Sequence, residues 1–184
     1  ETIEKVVVVG VGYAQLTAIP EEGAAPYDTG AWWYIYPIGA DGKPSEKYIE
    51  VSSYNPSGIF TLTPGSYYAT INVGKGSGQV EFDVKVGEIT EKVVVVGVGY
   101  AKLTAIPEEG AAPYDTGAWW YVYPVGADGK PAEKYIEASS YNPSDVFILP
   151  PGRYHATITI GKGSAETEFE VKVAETIEKS VVIG

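Results

Sequence analysis

An 87-residue repeat constrains the fold of this 184-residue chain more than any other feature of its sequence. The tripeptide Trp-Trp-Tyr at residues 32–34 returns 87 positions later at residues 119–121. Because the offset stays constant along the chain, neither copy contains an insertion, and most aligned positions are identical. A unit of this length is large enough to fold with its own core. The sequence therefore predicts two near-identical domains, at residues 11–97 and 98–184.

Ten residues remain outside the two repeats, and they are themselves one copy of a segment that occurs three times. Residues 1–10 read ETIEKVVVVG, residues 88–97 read EITEKVVVVG and residues 175–184 read ETIEKSVVIG. Two domains need only two such segments, so one apolar strand lacks a domain of its own. We take residues 1–10 as this extra terminal strand, and in the other phasing residues 175–184 would be the extra one. The apolar residues of the strand are Val6, Val7, Val8 and Val9.

Alternation of apolar and polar residues indicates that both repeats consist of short β-strands. Phe169, Val171 and Val173 alternate with charged residues, which is typical of a half-buried strand. The preceding GKGS at residues 161–164 is typical of a hairpin turn. No long stretch has helical periodicity free of glycine and proline. We therefore predict an all-β fold of two tandem antiparallel Greek-key β-sandwiches of the Ig-like kind, with about 7–8 strands each.

Composition and charge exclude several classes of function. The formal net charge is −11 and the isoelectric point about 4.5, which argues against binding to nucleic acid or to an anionic membrane surface. No cysteine is present, so disulfides, zinc thiolates and cysteine nucleophiles are excluded. No apolar run approaches the roughly 18 residues that a membrane span requires.

The chain offers little for catalysis, and we predict no enzyme activity, no cofactor and no metal. An apolar run before Gly10-Val11-Gly12 resembles the start of a dinucleotide-binding turn, but the third glycine is missing and alternating residues follow, which favours a link between strands. His155 is the single histidine, and we expect it to be a solvated surface residue. The loop carrying Glu21, Glu22 and Asp28 leaves calcium open as an alternative to a solvated acidic loop.

An aromatic row is the strongest candidate for a binding or interface site. Period-two alternation directs Trp33 and Ile35 into the core, which leaves their neighbours on the outer face, where polar residues are usual. Either the loop at residues 21–30 or another protein covers these aromatic rings, or they are exposed and bind sugars. The residues concerned are Trp32, Tyr34, Tyr36, Trp119, Tyr121 and Tyr123.

A family resemblance agrees with the sandwich prediction. The segment FILPPGRYHATI at residues 147–158 resembles the strand-turn-strand motif of transthyretin-like domains, which include the carboxypeptidase regulatory-like and Cna-B-like modules. Residues 13–18 are similar to the opening strand of that family and residues 87–96 to its closing strand. The resemblance covers most of each repeat. It implies tandem modules on bacterial or archaeal surface proteins, and it makes the ETIEK segment the last strand of a module.

These observations predict a non-enzymatic structural repeat of the cell surface or extracellular space, a stalk or filament subunit. An unpaired apolar strand invites pairing with another sheet, and a head-to-tail contact of this kind builds filaments. The expected partner is therefore another copy of the chain, joined by strand addition or exchange. The alternatives are a carbohydrate- or protein-binding module that uses the aromatic face, and a fragment with no function beyond its parent.

Overall fold

The computed structural model describes residues 8–28, 30–52, 55–115 and 117–183, and the regular elements in these ranges are all β-strands. The chain divides into two compact units, and the main boundary between them falls between Val96 and Gly97. We call the part before this boundary unit 1 and the part after it unit 2.

Unit 1 contains seven strands in two sheets. The strands are β1 (Gly12–Ile19), β2 (Ala31–Pro37), β3 (Glu50–Ser52), β4 (Ser57–Leu62), β5 (Gly65–Val73), β6 (Gly76–Val84) and β7 (Ile89–Val95). One sheet has the order β4-β1-β7 and the other the order β3-β2-β5-β6. Strand β1 is antiparallel to β4 and parallel to β7, so the last strand of the unit lies beside the first.

Unit 2 repeats this arrangement strand for strand. Its strands are β8 (Gly99–Ile106), β9 (Ala118–Pro124), β10 (Glu137–Ser140), β11 (Ser144–Leu149), β12 (Gly152–Ile160), β13 (Gly163–Val171) and β14 (Thr176–Val182). The sheets have the orders β11-β8-β14 and β10-β9-β12-β13. Strand β14 runs parallel to β8, as β7 does to β1.

The two sheets of each unit enclose an apolar core, because alternate residues of the long strands point inward. Trp33 and Ile35 are fully buried in unit 1, which confirms the inward direction that the alternation predicts. In unit 2 the core cluster includes Trp120, Ile158 and Phe169. No polar or charged residue is buried within the described ranges. Each core is thus stabilised by apolar burial, without buried ion pairs.

The predicted all-β sandwich fold is confirmed, with one departure from a purely antiparallel pattern in each unit. The last strand pairs in parallel with the first, because the chain crosses into it from the other sheet through a tight turn, at residues 85–88 in unit 1. Both the segment at 88–97 and the segment at 175–184 therefore supply a strand that completes a three-stranded sheet.

Gly12, the second glycine of the segment that resembles a dinucleotide-binding turn, has a packing role, and so has its equivalent Gly99 in unit 2. A Cβ atom on Gly12 would lie 2.1 Å from the carbonyl oxygen of Lys85, and one on Gly99 would lie 2.0 Å from that of Lys172. Only glycine fits where the first strand passes so close to the backbone of the turn before the last strand. Strand β1 follows directly, where a nucleotide site would need a helix.

Candidate functional site

Two features of each unit are candidates for function: the aromatic row on the outer face and the position of the last strand. The outer row of unit 1 contains Trp32, Tyr34 and Tyr36, and that of unit 2 contains Trp119, Tyr121 and Tyr123. Trp32 is 39% exposed and Trp119 is 41% exposed, while the four tyrosines are half-buried. The alternation therefore places all six outside the core, as the sequence predicts.

A tyrosine that sequence reasoning missed partly covers each row. Tyr48 precedes β3, and its ring centroid lies 5.2 Å from that of Tyr34 and 6.2 Å from that of Tyr36, both in edge-on geometry. Unit 2 repeats this arrangement around Tyr135. A single tyrosine in a Ser/Glu/Lys loop has no periodic signal, so only the fold reveals its partner.

Within the loop at residues 21–30, which is one candidate for covering the outer aromatics, Tyr27 has a different role. This side chain is buried, and its hydroxyl donates a hydrogen bond to the carbonyl of Val96, after the last strand. The loop residue thus anchors the end of β7. The physical reason is that Tyr27 lies next to β1 in the fold, where its backbone N–H donates to the carbonyl of Ala18 at 3.3 Å.

One end of the aromatic row in unit 2 holds a residue in an unusual backbone conformation. Tyr141 has φ of 70°, a left-handed value that is unfavourable for a bulky side chain. It is 68% exposed, and its ring centroid lies 5.2 Å from that of Trp119. Such conformations are often retained at functional positions, so the Trp119–Tyr141 pair is the part of the aromatic face with the best case for binding.

His155 departs from the expected solvated position. Only 16% of its side chain is exposed, because Tyr123 and Glu166 cover it. Its Nε2 lies 3.5 Å from Oε2 of Glu166. In unit 1 the equivalent residues are Tyr68 and Gln79, and the Tyr68 hydroxyl donates to Gln79 Oε1 at 2.6 Å. Each pair links two neighbouring strands, and nothing about it indicates a catalytic base.

Metal binding and membrane insertion find no positive support in the described ranges. Glu21, Glu22 and Asp28 are exposed. Within those ranges no three or more His, Cys, Asp or Glu side chains are grouped so that they could hold a metal ion. The same residues contain no helix long and apolar enough to cross a membrane.

We use the term closing-strand slot for the position that the last strand of each unit fills beside the first. In unit 1, Val94 and Val96 point from this position into the core and are buried. The Val96 N–H donates to the carbonyl of Ile19 at 2.8 Å, and Tyr27 donates to the Val96 carbonyl. A strand that fills this slot therefore needs two inward apolar side chains and a backbone end that forms these hydrogen bonds.

The slot of unit 2 holds β14 through equivalent contacts, but the hydrogen bonds at the end of the strand are longer. Val181 and Ile183 are buried in place of the two valines. The Ile183 N–H donates to the carbonyl of Ile106 at 3.0 Å, and the Tyr114 hydroxyl donates to the Ile183 carbonyl at 3.2 Å. Ile177 also packs against the core.

The described end of the predicted assembly strand is much more exposed than the matching residues of unit 1. Val8 and Val9 are 86% and 75% exposed and belong to no strand. The matching Val95 and Val96 are 51% and 1% exposed. Because the local sequence is the same, the difference comes from the slot that receives one copy. The rest of the predicted strand, with Val6 and Val7, lies outside the described residues.

Comparisons with known proteins give structural neighbours but no family. No family model matches the chain, and no curated protein matches it either. Among solved structures it is similar to the Bacillus anthracis TIE protein, at 19% identity and a TM-score of 0.40 over 95% of this chain. The chain spans only 34% of the length of that protein.

Two pilins are also similar in structure. The minor pilin of Streptococcus agalactiae has 15% identity and a TM-score of 0.36, with 94% of this chain and 95% of that chain covered. The shaft pilin SpaA of Lactobacillus rhamnosus GG has 12% identity and a TM-score of 0.42, with coverages of 95% and 98%. Similarity at this level does not extend to function, which has to be argued from the chain itself.

Proposed function

We propose that this protein is a non-enzymatic structural subunit of the cell surface or extracellular space, a stalk or filament component. Its chains join when residues 1–10 of one copy pair with a sheet of another. The observation that carries the proposal is the contrast between Val9, exposed, and Val96, buried at the same position of a nearly identical segment.

The contrast has a physical consequence. Burial of a valine side chain contributes about 1.5–3 kcal/mol, so the exposed segment gains stability when another sheet receives it. Addition of a strand also satisfies backbone N–H and C=O groups along its length. The donor segment and the acceptor sheets lie at different places in the chain, so the contact is heterologous, and where it does not close into a ring it builds open chains of subunits.

The two sandwich units fit this role because each has its own apolar core and the segment of chain that links them is very short. Val96 is hydrogen-bonded into unit 1 and Val98 is bonded into unit 2, where its carbonyl accepts from the N–H of Ala174 at 2.9 Å. Only Gly97 separates these two anchored residues.

The test compares an inward position of the donor segment with an outward one. Val9 corresponds to the buried Val96, and Val8 corresponds to the exposed Val95. We expect the average mass of the wild-type chain to rise with concentration in sedimentation experiments. Val9→Asp should abolish the rise, because a buried carboxylate is costly. Val8→Asp is the matched control and should weaken the association much less. A wild-type chain that stays monomeric at every concentration would contradict the proposal.

A second candidate function is carbohydrate binding on the aromatic face. It is favoured by one observation, the exposed Tyr141 held at positive φ against Trp119. Flat aromatic rings of this kind stack on sugars. A glycan array probed with wild type and with a Trp32→Ala, Trp119→Ala double variant tests it. Binding by wild type that the double variant loses supports the role, and no binding by wild type removes it.

A further inference from the structure

The two closing-strand slots are not equivalent, and the difference identifies which of them accepts residues 1–10. We infer that the acceptor is the slot of unit 2 in a second copy of the chain, where the segment replaces β14. This inference rests on the proposed function and names the partner surface within it. Three independent features of unit 2 support it: the turn before β14, the packing of Ile177 and the charge of Lys102.

The turn before the last strand is strained only in unit 2. Gly87 in unit 1 has φ of 71°, a conformation that glycine adopts freely. The equivalent residue in unit 2 is Ala174, with φ of 59°. An alanine held in the left-handed region destabilises the turn, and release of β14 removes this strain. A strand supplied by another chain reaches the slot without passing through that turn.

One apolar residue of the segment, Ile3, matches the sequence of unit 2 and not that of unit 1. Ile3 aligns with Ile177 in β14, which is partly buried against the core of unit 2. In unit 1 the aligned residue is Thr90, whose hydroxyl donates to the carbonyl of Asp83 at 2.8 Å. The slot of unit 1 is therefore adapted to a hydroxyl at this position, and the slot of unit 2 to an apolar side chain.

A charge in the first strand of unit 2 completes the match. Lys102 in β8 lies with its Nζ 3.3 Å from Oε1 of Glu178 in β14. Glu4 aligns with Glu178, so the incoming segment keeps this ion pair. Unit 1 has the uncharged Gln15 at the position of Lys102, so this ion pair has no counterpart there.

Replacement of β14 leaves the number of inward apolar residues unchanged, so the exchange is close to balanced. Val7 and Val9 take the places of Val181 and Ile183, and Val6 takes the place of Ser180, where valine has the higher preference for strands. Because β14 is tethered to its own slot, the exchange competes with a high effective concentration. Association is therefore expected to depend on protein concentration and on how firmly β14 is held.

The experiment changes the two turns in opposite directions in the full chain. Ala174→Gly relaxes the turn before β14 and should weaken association about tenfold, the order expected for one left-handed residue. Gly87→Ala places the same strain in unit 1 and should leave association unchanged. The readout is the dissociation constant from sedimentation equilibrium. If Gly87→Ala strengthens association and Ala174→Gly has no effect, unit 1 is the acceptor and the inference is overturned, although the proposed function stands.

A sensitised variant and a peptide separate the remaining outcomes. Ile183→Asp weakens the fit of β14 and should strengthen association, and an unchanged dissociation constant would overturn the inference. A wild-type chain that is monomeric at every concentration contradicts the proposed function as well. A synthetic peptide of residues 1–10 should dissociate the wild-type assembly. The same peptide with Thr2 and Ile3 exchanged, which matches β7, should compete about tenfold less well, because it places a threonine against the core. Equal competition by the two peptides would overturn the inference.

Discussion

Unit 1 and unit 2 have the same fold and matching cores, yet they differ at the strand that completes each sandwich. The fully buried Trp33 and Trp120 occupy equivalent places. The turn before the last strand contains Gly87 in one unit and Ala174 in the other, both at positive φ. The comparison teaches that the two copies keep what apolar packing requires, while the turn before the last strand differs between them.

The largest predicted effect is on stability, and it tests whether the buried tryptophans contribute equally to the two cores. Trp33→Ala and Trp120→Ala each remove a fully buried indole and should lower the free energy of unfolding of their own unit by about 3–5 kcal/mol. Trp32→Ala is the matched control on the outer face and should cost much less. Denaturant unfolding checks this. If the losses of unfolding free energy in Trp33→Ala and Trp120→Ala differ widely, the two cores are not energetically equivalent.

A smaller effect is expected at a tyrosine that ties the core to a turn in each unit. The Tyr154 hydroxyl donates to the carbonyl of Pro150 at 2.8 Å, and the Tyr67 hydroxyl donates to the carbonyl of Thr63 at 2.7 Å. Replacement of either tyrosine by phenylalanine should cost about 1 kcal/mol, the usual contribution of one hydrogen bond. Unfolding curves that are unchanged in both variants would show that these hydrogen bonds add no stability.

The pH dependence of unfolding gives a further test of the contribution of Tyr154 to stability. Burial raises the pKa of this phenol above 10.0, so the folded chain keeps the proton after the unfolded chain has lost it. The stability is fully present below about pH 10 and is lost as the pH rises through the folded-state pKa. In Tyr154→Phe the loss of stability above pH 10 should be shallower than in wild type. Equal slopes in denaturant unfolding between pH 8 and pH 11 would contradict this.

The smallest predicted effect concerns the ion pair that only unit 2 contains. Lys102 and Glu178 are exposed, so Lys102→Gln, which copies Gln15 of unit 1, should cost no more than about 0.5 kcal/mol, and less in high salt. Unfolding of this variant at low and high ionic strength measures the difference. A cost above about 1 kcal/mol that persists in high salt would show that Lys102 has a packing role as well.

Much of the fold could be predicted because period-two alternation and turn residues are local signals. The alternation correctly directs Trp33 inward and Trp32 outward, and it excludes helices. The parallel pairing of the last strand with the first was not predictable, since it depends on how the chain crosses between sheets. The expectation for His155 was wrong for a related reason: Glu166 and Tyr123 reach it from neighbouring strands.

The candidate site was predictable only in part. The segment that occurs three times, as ETIEK twice and as EITEK once, is visible in the sequence, and so is the aromatic row. Tyr48 was missed as a partner because it lies in a loop without a periodic signal, and Tyr27 was missed because its partner Val96 lies 69 residues further along the chain. The strain at Ala174 is likewise hidden, since an alanine in the sequence gives no indication of positive φ.

A cysteine cross-link tests the central claim most directly, because the chain contains no cysteine of its own. Val6 aligns with Ser180, whose partner in the adjacent strand is Thr104. In unit 1 the equivalent partner of Val93 is Thr17. A Val6→Cys chain mixed with a Thr104→Cys chain under mild oxidation should give a disulfide-linked dimer, and the mixture with Thr17→Cys should give much less. Equal cross-linking to both, or none to Thr104→Cys, would contradict assembly through the closing-strand slot of unit 2.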